Sequence, residues 1–403
     1  MCIGFTRTIG ALIILWAAVG PDLYAQQGAI LSVEETGGIR RYRFPTSALL
    51  ELPRGRLAAT DFIRMTEGDI EVPAQSTSIS RWDDGSVRTL EVDFNVSIGP
   101  LETRMFELHY GSDVTQQTAV GTGLSVTEAP DVIQSGNIRF NKSGFPLLLS
   151  VDYRGELITT GQNGLTVIDD AGVRYDSSEI DWDSVELLKR GPVTMKLHYE
   201  GTLELDGGAR TDVAMDLEMP NSKSWLKTSV FVSNSDRRVR EIAIETPLRL
   251  GEYPWIWDFG TPNGTYGAFR DSTGSVSLTQ MISEAGEGSW RVLSGPVGEK
   301  RPYEESVVGK SEIVRGWAHL QNDTQAVAFA IEGVGEIAGT FTAALSGQGQ
   351  TSFGFAAKDP VADHSLTVYQ HFVRTPVPIG AATSPASILS LLRVRVEPLP
   401  AGF

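Results

Sequence analysis

From Gln27 onward, apolar and polar residues alternate in short runs rich in Val, Ile, Thr, Leu and Phe, and Gly, Asp and Asn interrupt the runs at close intervals. A period of two marks a half-buried strand. Residues 71–94 show the pattern best: 75–82 is polar around Ile79, Asp84-Gly85 forms a tight-turn pair, and Val87, Leu90, Val92 and Phe94 resume the alternation, which predicts a β-hairpin. Residues 104–110 read as one further strand, and 193–205, 211–219 and 224–233 as three consecutive long ones. Turns are expected at Arg154-Gly155, Asn163-Gly164, Asp206-Gly207-Gly208 and Asn263-Gly264, spaced as in a large antiparallel sandwich rather than a propeller, since no motif recurs at a fixed period. The predicted fold is all-β: a small amino-terminal β-barrel over 28–112, a polar joint near 111–123, and a large antiparallel β-sandwich over 118–400. A short helix around Pro385–Leu392 is the one expected exception.

Residues 1–25 carry the three parts of a secretory signal peptide: Arg7, an apolar stretch over 9–19, and a small residue at Ala25. The apolar run is shorter than the roughly 20 residues of a spanning helix. The expectation is export to the periplasm or the extracellular space, with no membrane insertion after cleavage. Cys2 is the single cysteine, so a mature chain has no disulfide and no Cys-based metal site, and its core alone must hold it. The Asn-x-Ser/Thr sequons, such as Asn95-Val96-Ser97, are read as chance. Net charge is −16, and removing Arg7 and Asp22 with the signal leaves 33 basic against 49 acidic residues. That balance argues against nucleic acid and anionic membranes as partners, and repels a polyuronate unless a local basic patch or calcium offsets it.

Several wordings resemble the exo-rhamnogalacturonan-lyase-like family, which opens on "P-x-G-x-L … P-x-Q … W-x-D-G-S-V". Here these are Pro53-Arg54-Gly55-Arg56-Leu57, Pro73-Ala74-Gln75 and the segment Trp82 to Val87. Arg190-Gly191-Pro192-Val193, Gly201, Ser224-Trp225-Leu226-Lys227 and Arg315-Gly316-Trp317-Ala318-His319 resemble its central sandwich. The resemblance implies the barrel and sandwich of such lyases without their helical toroid, for which the remaining sequence has no room. It therefore implies a carbohydrate-associated, noncatalytic module for a glycan or an envelope protein partner. A free-standing lyase and a structural envelope protein are the alternatives.

Tyr253, Trp255, Trp257 and Phe259 occupy every second position, so in a strand they share a face. Such a stripe is either a platform for sugar rings or sandwich core, and Pro254 within it points to an edge strand and exposure. Elimination next to a carboxylate needs a base and a cation; His319, His371, Arg315 and Tyr369 are the candidates, each with a structural role as its plain alternative. No histidine pair has zinc-site spacing, and no Gly-rich phosphate loop is present, so no metal site or cofactor is expected. The carboxylates Glu179, Asp181 and Asp183 are the one place calcium could meet, but they lack the order of a calcium loop and read as a solvated face.

Overall fold

The computed structural model describes residues 27–398, apart from 61, 122, 154–155, 160–162, 310–311, 360–361 and 375–391. The signal segment, the Arg154-Gly155 turn and nearly all of the expected helix around Pro385–Leu392 therefore lie outside the described residues. Among the described residues every regular element is a strand.

The first unit is two sheets closed on one core. A three-stranded sheet takes the order Arg41–Glu51, Val87–Ile98, Ala74–Arg81 and contains the predicted hairpin. Its turn follows from local chemistry. Gly85 takes φ 82°, in the left-handed region where a Cβ is costly, and the Asp84 carboxylate accepts from the Ser86 amide and hydroxyl. Trp82 caps the hairpin, its indole N–H donating to Leu52 O at 3.0 Å.

The facing sheet has five strands, in the order Arg393–Pro398, Gln27–Glu34, Thr103–Tyr110, Ile63–Glu67, Ile70–Val72. Leu31, Met65, Leu90, Val92, Phe94 and Leu108 are buried between the two sheets. Its outermost strand corrects the expected sandwich limit of 118–400: Arg393–Pro398 leaves the sandwich and pairs antiparallel with Gln27–Glu34 from Ala29↔Pro398 to Glu34↔Arg393. Val394 packs on the small core, which is what draws the strand there.

The second unit is a sandwich of an eight-stranded and a nine-stranded antiparallel sheet, with a five-stranded sheet formed by strands between Val126 and Thr159 beside it. The nine-stranded sheet positions the site. Its order is Ile180–Arg190, Thr194–Glu204, Arg210–Pro220, Trp225–Val232, His364–Arg374, Gln325–Ile331, Trp317–Gln321, Trp255–Phe259, Tyr266–Phe269. Alternation gives each strand an inner and an outer row. Leu226, Val230, Leu366, Val368, Phe372, Val327 and Phe329 face the eight-stranded sheet and are buried, each contributing roughly 1.5–3 kcal/mol relative to exposure. The outer rows carry the polar residues described next.

Candidate functional site

The first outer row crosses the sheet through Lys196, Glu218, Lys227, Tyr369, Ala330 and Trp317, each paired in register with the next. A second row runs through Trp225, His371, Ala328, His319 and Asp258. Directly paired residues of antiparallel strands project from the same face, so these side chains lie on one face of the sheet, where Lys196, Glu218 and Lys227 are half-buried and Trp225, Tyr369, Trp317, His319 and Asp258 are buried. The small unit closes over one end of it. Phe44 meets Trp225 edge-on with ring centroids 5.5 Å apart, and Trp225 meets Tyr369 at 6.1 Å and His371 at 5.6 Å.

Between the units lies a cleft of about 170 Å³. Phe44, Trp225 and Tyr369 supply aromatic walls, and Asp93, Glu218 and Lys227 supply charge. Lys227 Nζ stands 5.5 Å from the Tyr369 ring centroid and 3.8 Å from Glu332, to which the Tyr369 hydroxyl donates. Burial, with Glu332 beside it, drives the Tyr369 hydroxyl far above the ordinary phenol range, so it stays a neutral donor.

The two units are joined by fully formed polar contacts. Gln75, the glutamine of the P-x-Q wording, accepts from the Val193 and Thr194 amides at 2.8 and 2.9 Å and donates to Thr194 O at 3.0 Å. It substitutes for a strand residue in closing backbone groups that burial would otherwise leave open. Asn95 donates to Asn221, and Lys223 to the Tyr42 carbonyl. Lys189 Nζ lies 2.9 Å from both Glu91 and Asp93. Burial pushes the Asp93 carboxyl up to about 7 against the pull of Lys189. Lys189 is itself disfavoured by burial, yet Asp93, Glu218 and Glu91 hold it above its ordinary value.

Three of the four candidate catalytic residues share this outer face. His319 and His371 flank Ala328 in register, which places their Cα atoms roughly 10 Å apart from two strand spacings, and Tyr369 lies in the adjacent row. Arg315 is apart from them, exposed in the turn before Trp317–Gln321. His319 is fully buried with Nδ1 3.1 Å from Asp258, and its Nε2 has no hydrogen-bond partner among the described residues. Burial, followed by the positive charge of Lys223 and the neighbouring His319, pushes His371 down to about 4, so it is neutral at physiological pH.

The aromatic stripe is corrected. Trp255, Trp257 and Phe259 do share a face, but that face is sandwich core: they are 5, 2 and 0 % exposed. Trp257 packs on Phe259, Phe269 and Tyr303, and leaves so little room that a Cβ on Gly267 would stand 2.3 Å from its ring. Pro254 precedes the strand, so the exposure it signals belongs to Tyr253, which is half-exposed and stacked on Trp255. The acidic segment keeps Asp181 and Asp183 exposed, and among the described residues no three His, Cys, Asp or Glu side chains converge as metal ligands. Reasoning from sequence missed Phe44, Asp93, Glu218, Trp225 and Lys227 as cleft residues. The usable signal was the odd-numbered outer series Trp225, Lys227, Ser229 and Phe231 beside an apolar even-numbered one.

No protein-family model and no curated protein matches the chain. Solved structures do. An alpha-mannosidase from Enterococcus faecalis is similar over 93 % of this chain and 46 % of its own, with 10 % identity and a TM-score of 0.55. A protein of glycosyl hydrolase family 38 from the same organism is similar over 92 % of this chain and 47 % of its own, with 10 % identity and a TM-score of 0.52. This chain therefore spans under half the length of either structure, and what it shares with them is an arrangement of β-sheets.

Proposed function

We propose that this chain is an exported, noncatalytic carbohydrate-associated module that binds glycan in the cleft between its two units. The cleft carries the reading: aromatic rings from both units stand beside carboxylates and an ammonium group at a domain interface, the combination and the place typical of ligand sites. Phe44, Trp225 and Tyr369 are buried on one another and form the floor of the cleft, so sugar hydroxyls would meet the half-buried Glu218 and Lys227 at its mouth. The likeness in fold to an alpha-mannosidase and to a family 38 protein is consistent with a carbohydrate setting, but fold alone is a weak warrant for activity. The wording shared with exo-rhamnogalacturonan-lyase-like proteins supports the same class, and Arg7, the apolar run and Ala25 support export.

The lyase alternative is disfavoured by the state of its bases. His319 is fully buried against Asp258, out of reach of a substrate in the cleft, and His371 is a weak base held down to about 4, so it is not poised to take a proton near neutral pH. A glycan array followed by titration calorimetry tests the binding reading. Wild type retains at least one neutral or acidic glycan, and Glu218→Gln or Lys227→Ala weakens it with folding intact. A blank array with folded protein, or full binding by both variants, overturns it.

A further inference from the structure

The cleft opens onto the outer face of the nine-stranded sheet, and the next two rows continue the same chemistry. Beyond Glu218, Lys227 and Tyr369 comes the row His198, Asp216, Ser229, Thr367, and beyond that Glu200, Ala214, Phe231, Ser365, all in unbroken register across four strands. The middle row is half-buried and pre-ordered. His198 Nδ1 lies 2.7 Å from Asp216, whose other oxygen meets Lys196 Nζ at 2.8 Å, and the Thr367 hydroxyl donates to Ser229 at 3.0 Å. Phe231 in the outer row is 44 % exposed, a large aromatic side chain standing in polar surroundings with Glu200 and Ser365 also exposed.

Along Trp225–Val232 the outward residues are therefore aromatic, cation, hydroxyl, aromatic: Trp225, Lys227, Ser229, Phe231. Trp225 is buried against Phe44, so the accessible part of the row runs from Lys227 to Phe231, four positions or about 13 Å of strand. A monosaccharide in the cleft would use one end only. The polar groups between the ends are fixed by one another before any ligand arrives, so little side-chain entropy is lost when they bind hydroxyls.

We propose that this face is an extended binding track, running from the mouth of the cleft at Lys227 to Phe231, and that the ligand is accordingly an oligosaccharide chain of a few sugar units rather than a single sugar. The inference rests on glycan binding in the cleft and adds the length and path of the ligand. A bound chain starts at the mouth of the cleft beside Glu218 and Lys227, crosses Ser229 with hydrogen bonds to Asp216 and Thr367, and stacks a distal ring on Phe231.

The test is a size series of oligosaccharides, from monosaccharide to octasaccharide, in neutral manno- and xylo-oligosaccharide forms and as oligogalacturonides, titrated by calorimetry against wild type, Phe231→Ala and Glu218→Gln. For at least one series, wild-type affinity rises with length by roughly tenfold or more and then levels off once the chain spans the face. Phe231→Ala, at a half-exposed position where folding is not at stake, removes roughly fivefold of that gain for the long members and leaves the shortest binding member unchanged. Glu218→Gln weakens every length. If short members bind and affinity does not grow with length, or if Phe231→Ala leaves the long members unaffected, the track is wrong while cleft binding stands. Absence of binding at every length overturns both.

Discussion

Lys189 is the most heavily used ion at the joint between the units, and its removal tests how they are held. Its ammonium group lies 2.9 Å from Glu91 and 2.9 Å from Asp93, with side-chain exposures of 3 % for Lys189 and 5 % for Asp93. The strand Ile180–Arg190 carries a bulge between Leu187 and Lys189, which leaves Leu188 exposed and turns Lys189 toward the small unit. Lys189→Met keeps the stem and deletes the charge, so Asp93 loses its counter-ion in a site that water does not reach. Breaking a buried pair this way costs about 3–5 kcal/mol, because the surviving charge stays desolvated. If the 403 residues unfold as one unit, a per-residue entropy of about 2.1 cal/mol/K makes 4 kcal/mol a fall of about 5 °C in Tm. The sign with pH is fixed. Burial already raises Asp93 to about 7 with Lys189 present, and without Lys189 it rises further, so the defect is greatest at alkaline pH and shrinks as Asp93 takes up a proton. Urea unfolding of wild type, Lys189→Met and Lys189→Met/Asp93→Leu at pH 6 and pH 8.5 measures this, the double variant recovering most of the loss. A single variant within about 0.5 kcal/mol of wild type at pH 8.5, or a defect that grows on acidification, would refute the reasoning.

Trp257→Ala should cost about 3–5 kcal/mol by emptying core volume, while the folded fraction binds glycan with unchanged affinity; a selective loss of affinity would return the stripe to the binding site. Gly267→Ala should cost about 1–3 kcal/mol by driving a methyl into the Trp257 ring, read as a drop in urea midpoint. His371, neutral in the fold down to about 4 but titrating near 6.5 when unfolded, contributes stability above pH 6.5 that is lost as pH falls toward 4. The part at stake is on the order of 1–3 kcal/mol, discounted for partial solvent access, and a His371→Gln variant should lack that slope between pH 6.5 and 4.5. Purified protein mixed with rhamnogalacturonan, with or without calcium, should produce no ultraviolet absorbance of unsaturated uronate; turnover that disappears in His319→Ala or His371→Ala would restore the lyase reading.

What could and could not be read ahead of the structure divides along one physical line. Alternation with period two states which residues share a face, and it correctly grouped Trp255, Trp257 and Phe259. It does not state which face is wet, because a buried aromatic row and a sugar platform have the same spacing, and only the packing of Phe269, Tyr303 and Gly267 around Trp257 decides between them. Strand existence is local and was legible. Strand order is not: Gln325–Ile331 and His364–Arg374 pair across some forty residues, and it is this pairing that sets His319 and His371 on either side of Ala328. The return of Arg393–Pro398 to Gln27–Glu34 joins opposite ends of the described chain and left no local trace.

The motif wording behaves differently from either. Trp82, Asp84, Gly85 and Ser86 close a turn, and Gln75 stitches the two units through Val193 and Thr194, the residues that follow the Arg190-Gly191-Pro192 segment. The two halves of the resemblance thus meet at one joint, which explains why they occur together in a chain of this architecture whatever it binds. Motifs that build a joint report the joint. The chemistry of the cleft depends on Asp93 from one unit facing Glu218, Lys227 and Tyr369 from the other, and of these only Lys227 lies within the shared wording, so a protein can keep the wording and change its ligand by altering the other three positions.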